Sequence, residues 1–260
     1  MKKVDINCDM GESFGSHKLG MDEEVIRYIS SANVGCGFHG GDPHVMRKTV
    51  MMAKENGVGV GAHPGLPDLL GFGRRHMDVT PQELEDFFVY QIGALKGFCD
   101  AAGIRLQHVK AHGVLSGLAE KDLRMAEAIC RAISMIDKDI LWLTYFGTKT
   151  REIAESMGLG VMAEFYADRA YTAERLLVPR NQAGAVIHDV AEIQKRILQL
   201  VNAGTVTTID GQVLDMSCQS ICVHGDTPGA LEMVQKIRSS LEAHDIAITP
   251  LSELKTVFGY

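Results

Sequence analysis

Residues 31–44 read Ser31-Ala32-Asn33-Val34-Gly35-Cys36-Gly37-Phe38-His39-Gly40-Gly41-Asp42-Pro43-His44. The apolar run at 32–35 suits a strand, and the glycine-rich turn after it carries polar side chains. Pro43 then opens a helix predicted over 43–56, with Asp42 placed to cap it. The same succession recurs along the chain. Strands are predicted at 4–7, 32–35, 58–62, 106–110, 140–145, 159–165, 205–209 and 220–224, eight in all. A second helix opens at Thr80-Pro81-Gln82-Glu83 and runs to about 102, and others are predicted at 121–136, 149–157, 190–203 and 228–243 before a late strand or edge at 246–250. Short strands separated by helices require a parallel sheet with crossover connections. The alternation alone permits either an open doubly wound sheet or a closed barrel.

Where the unusual polar residues fall favours the barrel. Asp5, Asn7, Asp9 and Glu12 accompany the first strand, and His39, Asp42 and His44 follow the second. His63 ends the third, Lys110 and His112 the fourth; Glu164, Tyr166, Asp168 and Arg169 surround the end of the sixth, and His224 and Asp226 end the last. Parallel α/β folds place their ligand sites at C-terminal strand ends, and clusters spread over six strands converge most simply at one barrel mouth. Side chains alternate along a strand, so Asp5, Asn7 and Asp9 can share one face, as can Lys110 and His112. The architecture expected is α/β, an irregular (β/α) TIM-like barrel. With no Ser/Gly linker, low-complexity tract or sequence repeat, residues 1–260 are expected to form one domain.

Composition narrows the function. With 46% hydrophobic and 23% charged residues the chain can bury a substantial core. Its 26 Lys and Arg against 33 Asp and Glu give −7, which argues against general binding to nucleic acid or an anionic membrane. No apolar run approaches the ~20 residues of a membrane span, and charge and glycine interrupt the first twelve residues before a signal-peptide core could form. A cytoplasmic protein acting on a small molecule is expected. The six cysteines have no C-x-x-C pairing and read as reduced thiols.

Phosphate-loop, zincin and nucleophile-elbow motifs are all missing. What remains is a supply of histidines, carboxylates and Lys110, able to bind a divalent ion, activate water or hold an oxyanion. Each has a plainer alternative. Asp42 fits an ordinary helix cap, and His17, His76, His108, His188 and His244 read as surface or structural histidines. His39, His63, His112 and His224 stand apart because they recur at equivalent strand ends. The adjacent guanidinium groups of Arg74 and Arg75 could grip a carboxylate or phosphate, or be solvated. A divalent ion, if held, is expected at Asp9, His39 and His63, weakly and without being obligatory.

The phrases DINCDMGESFG (5–15), SANVGCGFHGGDP (31–43), GVGVGAHPGLPDLLGFGRR (57–75), YQIGAL (90–95), HVKAHG (108–113), ADRAY (167–171), LVPR (177–180) and ICVHGDTPGA (221–230) closely resemble the family of 5-oxoprolinase A subunits, also called the LamB/YcsF or lactam-utilisation family. The resemblance implies a barrel related to the glycoside-hydrolase/deacetylase group. It also implies opening of 5-oxo-L-proline to L-glutamate with ATP as co-substrate and two further 5-oxoprolinase subunits as partners. The family pattern covers Asp9, His39, Asp42, His63, Lys110, His112, His224 and Asp226.

On that basis Asp9, His39, His63, Lys110, His112 and Asp226 are the catalytic candidates, and Asn7, Asp42, Arg74, Arg75, Glu164 and His224 the substrate-binding ones. The chain departs from the family around the fourth strand, where Ala111, Val114, Ser116 and Gly117 stand in place of the expected VKPHGALYN pattern. Cys8 and Gly40 also replace expected small residues. Two other functions remain open at this point, a metal-assisted amidohydrolase for another lactam or acylated molecule and a non-catalytic binding component.

Overall fold

The computed structural model describes residues 2–224 and 229–258. Its elements run in the order β1 (Lys2–Met10), α1 (Asp22–Val25) with a 3-10 turn (Ile26–Tyr28), β2 (Ser31–Gly35), α2 (Pro43–Glu55), β3 (Gly59–His63), α3 (Pro81–Ala102), β4 (Leu106–Val109), α4 (Val114–Lys121), α5 (Leu123–Ile136), β5 (Leu141–Tyr145), α6 (Lys149–Ser156), β6 (Val161–Tyr166), α7 (Val190–Ala203), β7 (Thr205–Thr207), β8 (Val213–Asp215), β9 (Ser220–His224), α8 (Ala230–Ala243), β10 (Ile246–Ile248) and α9 (Leu251–Phe258).

Seven parallel strands close on themselves in the order β1-β2-β3-β4-β5-β6-β9, with β9 pairing back to β1 over Asp5–Asp9. The irregular TIM-like barrel is therefore present, with seven closing strands where the sequence pattern predicts eight. The difference lies at 205–209. Thr205–Thr207 pairs antiparallel with Val213–Asp215 in a separate two-stranded ribbon, because Gly211, at φ 80°, turns the chain back after only three strand residues. The late strand instead joins the main sheet, β10 lying parallel to Lys2–Val4 of β1.

Local sequence accounts for the helix starts. Asp42 accepts from the backbone N–H groups of His44 and Val45 ahead of Pro43, and Thr80 with Glu83 forms a capping box ahead of Pro81. Gly103, in the left-handed conformation, ends α3. The helix expected over 121–136 is α5, begun at Leu123 because extended Asp122 caps it through the Arg124 N–H, and a further helix, α4, precedes it over Val114–Lys121.

Strand alternation separates two environments. Val4, Ile6, Cys8 and Met10 join the main apolar cluster with residues of the surrounding helices, whereas Asp5, Asn7 and Asp9 turn to the barrel interior. A smaller cluster, Leu141, Leu143 and Met162 with Leu251 and Leu254 of α9, lies on that inward face, Leu141 in register with His108 and Met162 two residues before Glu164. Among the described residues no helix is long and apolar enough to cross a membrane.

Candidate active site

The barrel interior is a layered polar network, and two glycines make room for it. An added Cβ would lie 2.3 Å from Gln107 Nε2 at Gly59 and 2.1 Å from His108 Nε2 at Gly61, so only glycine on β3 lets these β4 side chains enter. In the deepest layer Asp5 accepts from Ser30 and Ser31, each at 2.6 Å, and from Ser220. Burial pushes the Asp5 carboxyl up to about 6 against these hydroxyl donors. In the next layer Asn7 donates to Ser220 and accepts from Asn33 at 2.7 Å, and Asn33 Oδ1 accepts from His108 Nε2–H at 2.6 Å. Burial, reinforced by Lys110, pushes His108 down to about 3, so it serves this network as a neutral ring.

Lys110 follows directly on β4, its N–H bonded to the Ala62 carbonyl. Its ammonium lies 2.9 Å from Asp9 Oδ1, 2.9 Å from Glu164 Oε1, 3.3 Å from Asn7 Oδ1 and 3.2 Å from Cys222 Sγ. It also sits 5.1 Å from the Tyr166 ring centroid. Burial, the largest single influence, works against its charge, but Asp9, Cys222 and Glu164 outweigh it and hold Lys110 well above its ordinary value.

Above this layer stand Glu12, His39, His63 and His112, all buried, each with a potential ligand atom within 4.8 Å of the others. His39 Nε2–H donates to Glu12 Oε1 at 2.9 Å, and its ring stacks on that of His112 at 3.6 Å and 5°. His63 Nδ1–H donates to the Lys110 carbonyl and His112 Nε2–H to the Phe72 carbonyl, each at 2.8 Å. Burial pushes His39 down to about 4 and lowers His112 as well. For Glu12 burial works upward, and the contacts with His112 and His39 outweigh it, holding the carboxyl well below the usual range.

A cavity of about 820 Å³ opens onto these groups. Asp9, His63, Lys110 and His112 form part of its lining, and Tyr145, Tyr166 and the cationic side chains of Arg74, Lys121 and Arg180 contribute further wall. Its size falls in the ~300–1,000 Å³ range of small-molecule sites.

The sequence-predicted residues divide accordingly. Asp9, His39, His63, Lys110, His112, Asn7 and Glu164 come together, and Arg74 reaches the same cavity with its guanidinium 4.9 Å from the Phe72 ring centroid. Arg75 is paired with Asp68, which also accepts from the Gly71 N–H, so it shapes the loop rather than lining the cavity. Asp42 spends its carboxylate on the N–H groups of Gly15, His44 and Val45, the capping alternative for that residue. The backbone of His224 pairs beside Asp9, and Asp226 lies outside the described residues. Cys36 is a buried thiol pushed up to about 12 by burial.

Asn33, His108 and Cys222 belong to the site although the sequence pattern does not single them out for it. Glu12, which that pattern sets at the end of the first strand, belongs to it without being among the named catalytic or binding candidates. Asn33 and Cys222 occupy the inward positions of their strands, Asn33 in register with Asp9 and Cys222 with Asn7, which is the signal that would find them.

Comparison with known proteins agrees with this architecture. The model of the LamB/YcsF family matches residues 4–256. A Clostridium beijerinckii protein named as the A subunit of 5-oxoprolinase is 52% identical over 254 residues, covering 98% of this chain and all of that one. A Pyrococcus horikoshii protein of the same name is 51% identical over 251 residues, covering 96% of this chain and 98% of its own. The crystal structure of a lactam utilization protein from Thermus thermophilus superposes with a TM-score of 0.91 at 41% identity, covering 95% of this chain and 99% of that one. A deacetylase structure at 12% identity and TM-score 0.50 shares the fold alone.

Proposed function

The chain belongs to the LamB/YcsF family, and from that premise we propose that it is the lactam-handling component of an ATP-dependent 5-oxoprolinase, opening 5-oxo-L-proline to L-glutamate together with two further subunits. The observation that carries this reading is the convergence of Asp9, His63, Lys110 and His112 on one cavity whose wall also bears Arg74, Lys121 and Arg180. The relatives bear the name of one lettered component of 5-oxoprolinase, which supports a multisubunit assembly.

The chemistry explains why such a site is needed. A five-membered lactam is an unactivated amide, and phosphorylation of its oxygen by ATP, which leaves as ADP, activates the carbon toward water. The ring C–N bond then breaks as the nitrogen takes up a proton, and a second water hydrolyses the resulting acyl phosphate to glutamate and phosphate. The substrate carboxylate and the transferred phosphoryl group are anions, matched by the cationic wall. Attack by water needs a base. Asp9 is placed for that work, with Lys110 and Asn33 donating to Oδ1 and Oδ2 lying 3.4 Å from His63 Nε2. Lys110 supplies a fixed positive field where negative charge develops on the attacked carbon's oxygen. The lack of a phosphate loop in this chain makes partner-supplied nucleotide binding attractive, and omitting each component in turn decides which subunit provides it.

Reconstitution with the two partners, measuring glutamate and ADP together while omitting each component in turn, tests this reading. Both products are expected only from the complete mixture. Glutamate released by this chain alone without ATP would overturn it and favour the metal-assisted amidohydrolase, the second reading motivated by the buried Glu12, His39, His63 and His112 group.

A further inference from the structure

We propose that Glu12, His63 and His112 form a binding site for one first-row divalent transition-metal ion, zinc being the best match, with Asp9 beside its open position, and that His39 positions Glu12 for it. The proposal goes beyond the lactam reading and does not depend on it, since binding is read without substrate or ATP.

The argument starts from two tautomers fixed by backbone carbonyls. Because His63 donates from Nδ1 to the Lys110 carbonyl and His112 from Nε2 to the Phe72 carbonyl, the nitrogens left with lone pairs are His63 Nε2 and His112 Nδ1. These two atoms face each other at 3.0 Å inside the protein. Two lone pairs at that distance repel, and a cation shared between them, a metal ion or a proton, removes the repulsion. A second ring nitrogen donating to a carbonyl is also the arrangement that orients metal-bound imidazoles.

One of those carbonyls is held at a cost. Phe72 has φ 54°, a left-handed conformation that a bulky side chain avoids, and in it the carbonyl accepts from His112. Gly73 and Gly113 let this loop close on the site: an added Cβ would lie 2.9 Å from His112 Cδ2 at Gly73 and 2.5 Å from the Gly73 carbonyl oxygen at Gly113.

The Glu12 carboxylate completes the set, and Asp9 stands beside it. Glu12 Oε1 lies 3.4 Å from His112 Nδ1 and 4.0 Å from His63 Nε2, and Asp9 Oδ2 lies 3.4 Å from His63 Nε2. Two donors bound at ~2.0–2.1 Å to one tetrahedral ion are about 3.4 Å apart. The three donors of His63, His112 and Glu12 stand 3.0, 3.4 and 4.0 Å from one another, near that spacing. Imidazole and carboxylate together suit zinc and its first-row neighbours better than magnesium or calcium.

His39 belongs to the cluster in a different capacity. Its ring lies 5° from parallel to His112 at 3.6 Å, and two rings stacked this way cannot both aim in-plane lone pairs at one ion. Its Nε2–H instead donates to Glu12 Oε1 at 2.9 Å. Asp9, His63 and His112 all line the cavity, so an ion held there remains accessible to water or a ligand atom.

The test uses the full chain, stripped with chelator, dialysed and titrated with Co²⁺ followed by Zn²⁺. One Co²⁺ per chain is expected, with visible ligand-field bands that Zn²⁺ abolishes by displacement. Glu12→Gln and the double variant His63→Ala, His112→Ala are expected to weaken binding by about 100-fold or more. If the double variant does not fold, judged by circular dichroism, Glu12→Gln carries the test alone, because it preserves side-chain volume. His39→Ala is expected to weaken binding about 10–100-fold, as loss of an orienting partner does, with Co²⁺ band positions unchanged and affinity partly recovered in His39→Gln. Absence of stoichiometric Co²⁺ and Zn²⁺ binding by the folded parent protein, or parent-like affinity in folded Glu12→Gln, would overturn the site. Altered Co²⁺ band positions in His39→Ala would make His39 a ligand and overturn its positioning role.

Discussion

Lys110 Nζ and Glu164 Oε1 lie 2.9 Å apart with both side chains almost wholly buried, 3% and 1% exposed. The ammonium is shared with Asp9, so one lysine compensates two carboxyl groups inside the barrel. Lys110→Met keeps most of the stem but leaves those groups uncompensated, a loss that costs about 3–5 kcal/mol when a buried pair is broken. Turnover by the reconstituted complex is expected to fall about 10²–10³-fold. Adding Glu164→Gln to Lys110→Met should restore much of the stability and none of the turnover. Denaturant unfolding beside coupled glutamate and ADP assays reads both effects, and undiminished turnover by folded Lys110→Met would remove Lys110 from the chemistry.

Gly61 and Gly97 offer a contrast within one residue type. A Cβ at Gly61 would lie 2.1 Å from His108 Nε2, whereas at Gly97, in the exposed face of α3, it meets nothing within 4 Å. Gly61→Ala must displace His108 from Asn33, and a loss of about 3 kcal/mol is expected from the broken buried hydrogen bond and overpacking together. Gly97→Ala should stabilise by about 0.5–1 kcal/mol, since glycine in a helix interior is the poorer helix former. Melting temperatures of the two variants, moving in opposite directions, are the check. Equal shifts would mean that the interior tolerates a side chain at residue 61.

These positions also show what can be read in the sequence. Strand ends are legible because Gly, His, Asp and Lys break each apolar run at the same relative place, and the alternation of Asp5, Asn7 and Asp9 with Ile6 and Cys8 marks the inward face of β1. Residues 205–209 mislead because a three-residue strand in a ribbon has the same composition as a barrel strand. The role of Glu12 is not legible. It depends on the loop after β1 folding over the turn after β2, where an added Cβ at Gly40 would lie 2.9 Å from the Glu12 carbonyl oxygen. His108 reads as an ordinary structural histidine because the space it fills is made by Gly61, on a neighbouring strand far away in sequence.

Asp42 separates capping from substrate binding. Its carboxylate holds three backbone N–H groups, two at the start of α2 and one at Gly15. Asp42→Ala is expected to cost about 0.5–2 kcal/mol, the usual loss of an N-cap, and to leave the Michaelis constant for lactam unchanged. Asp42→Asn should recover part of the stability. A Michaelis constant raised tenfold in a protein that stays fully folded would return Asp42 to the substrate.

Acid stability is governed by buried groups of opposite sign, and His108 is the one to isolate. Its folded value is about 3 against an ordinary 6.5, so the unfolded chain binds the extra proton first. Its contribution is fully present above pH 6.5 and is lost as pH falls toward 3, which amounts to several kcal/mol at about 1.4 kcal/mol for each unit. Asp5 runs the other way. With its carboxyl raised from 3.8 to about 6, its contribution is fully present below pH 3.8 and lost as pH rises through 6. His108→Gln removes the titrating ring while its amide can still donate to Asn33 Oδ1. The variant should therefore be less stable at neutral pH, where packing is lost, yet lose stability less steeply than the parent between pH 6.5 and 3. Urea unfolding at half-unit pH intervals measures that slope directly. Parallel curves for parent and variant would show that His108 is not the group whose protonation drives the acid limb.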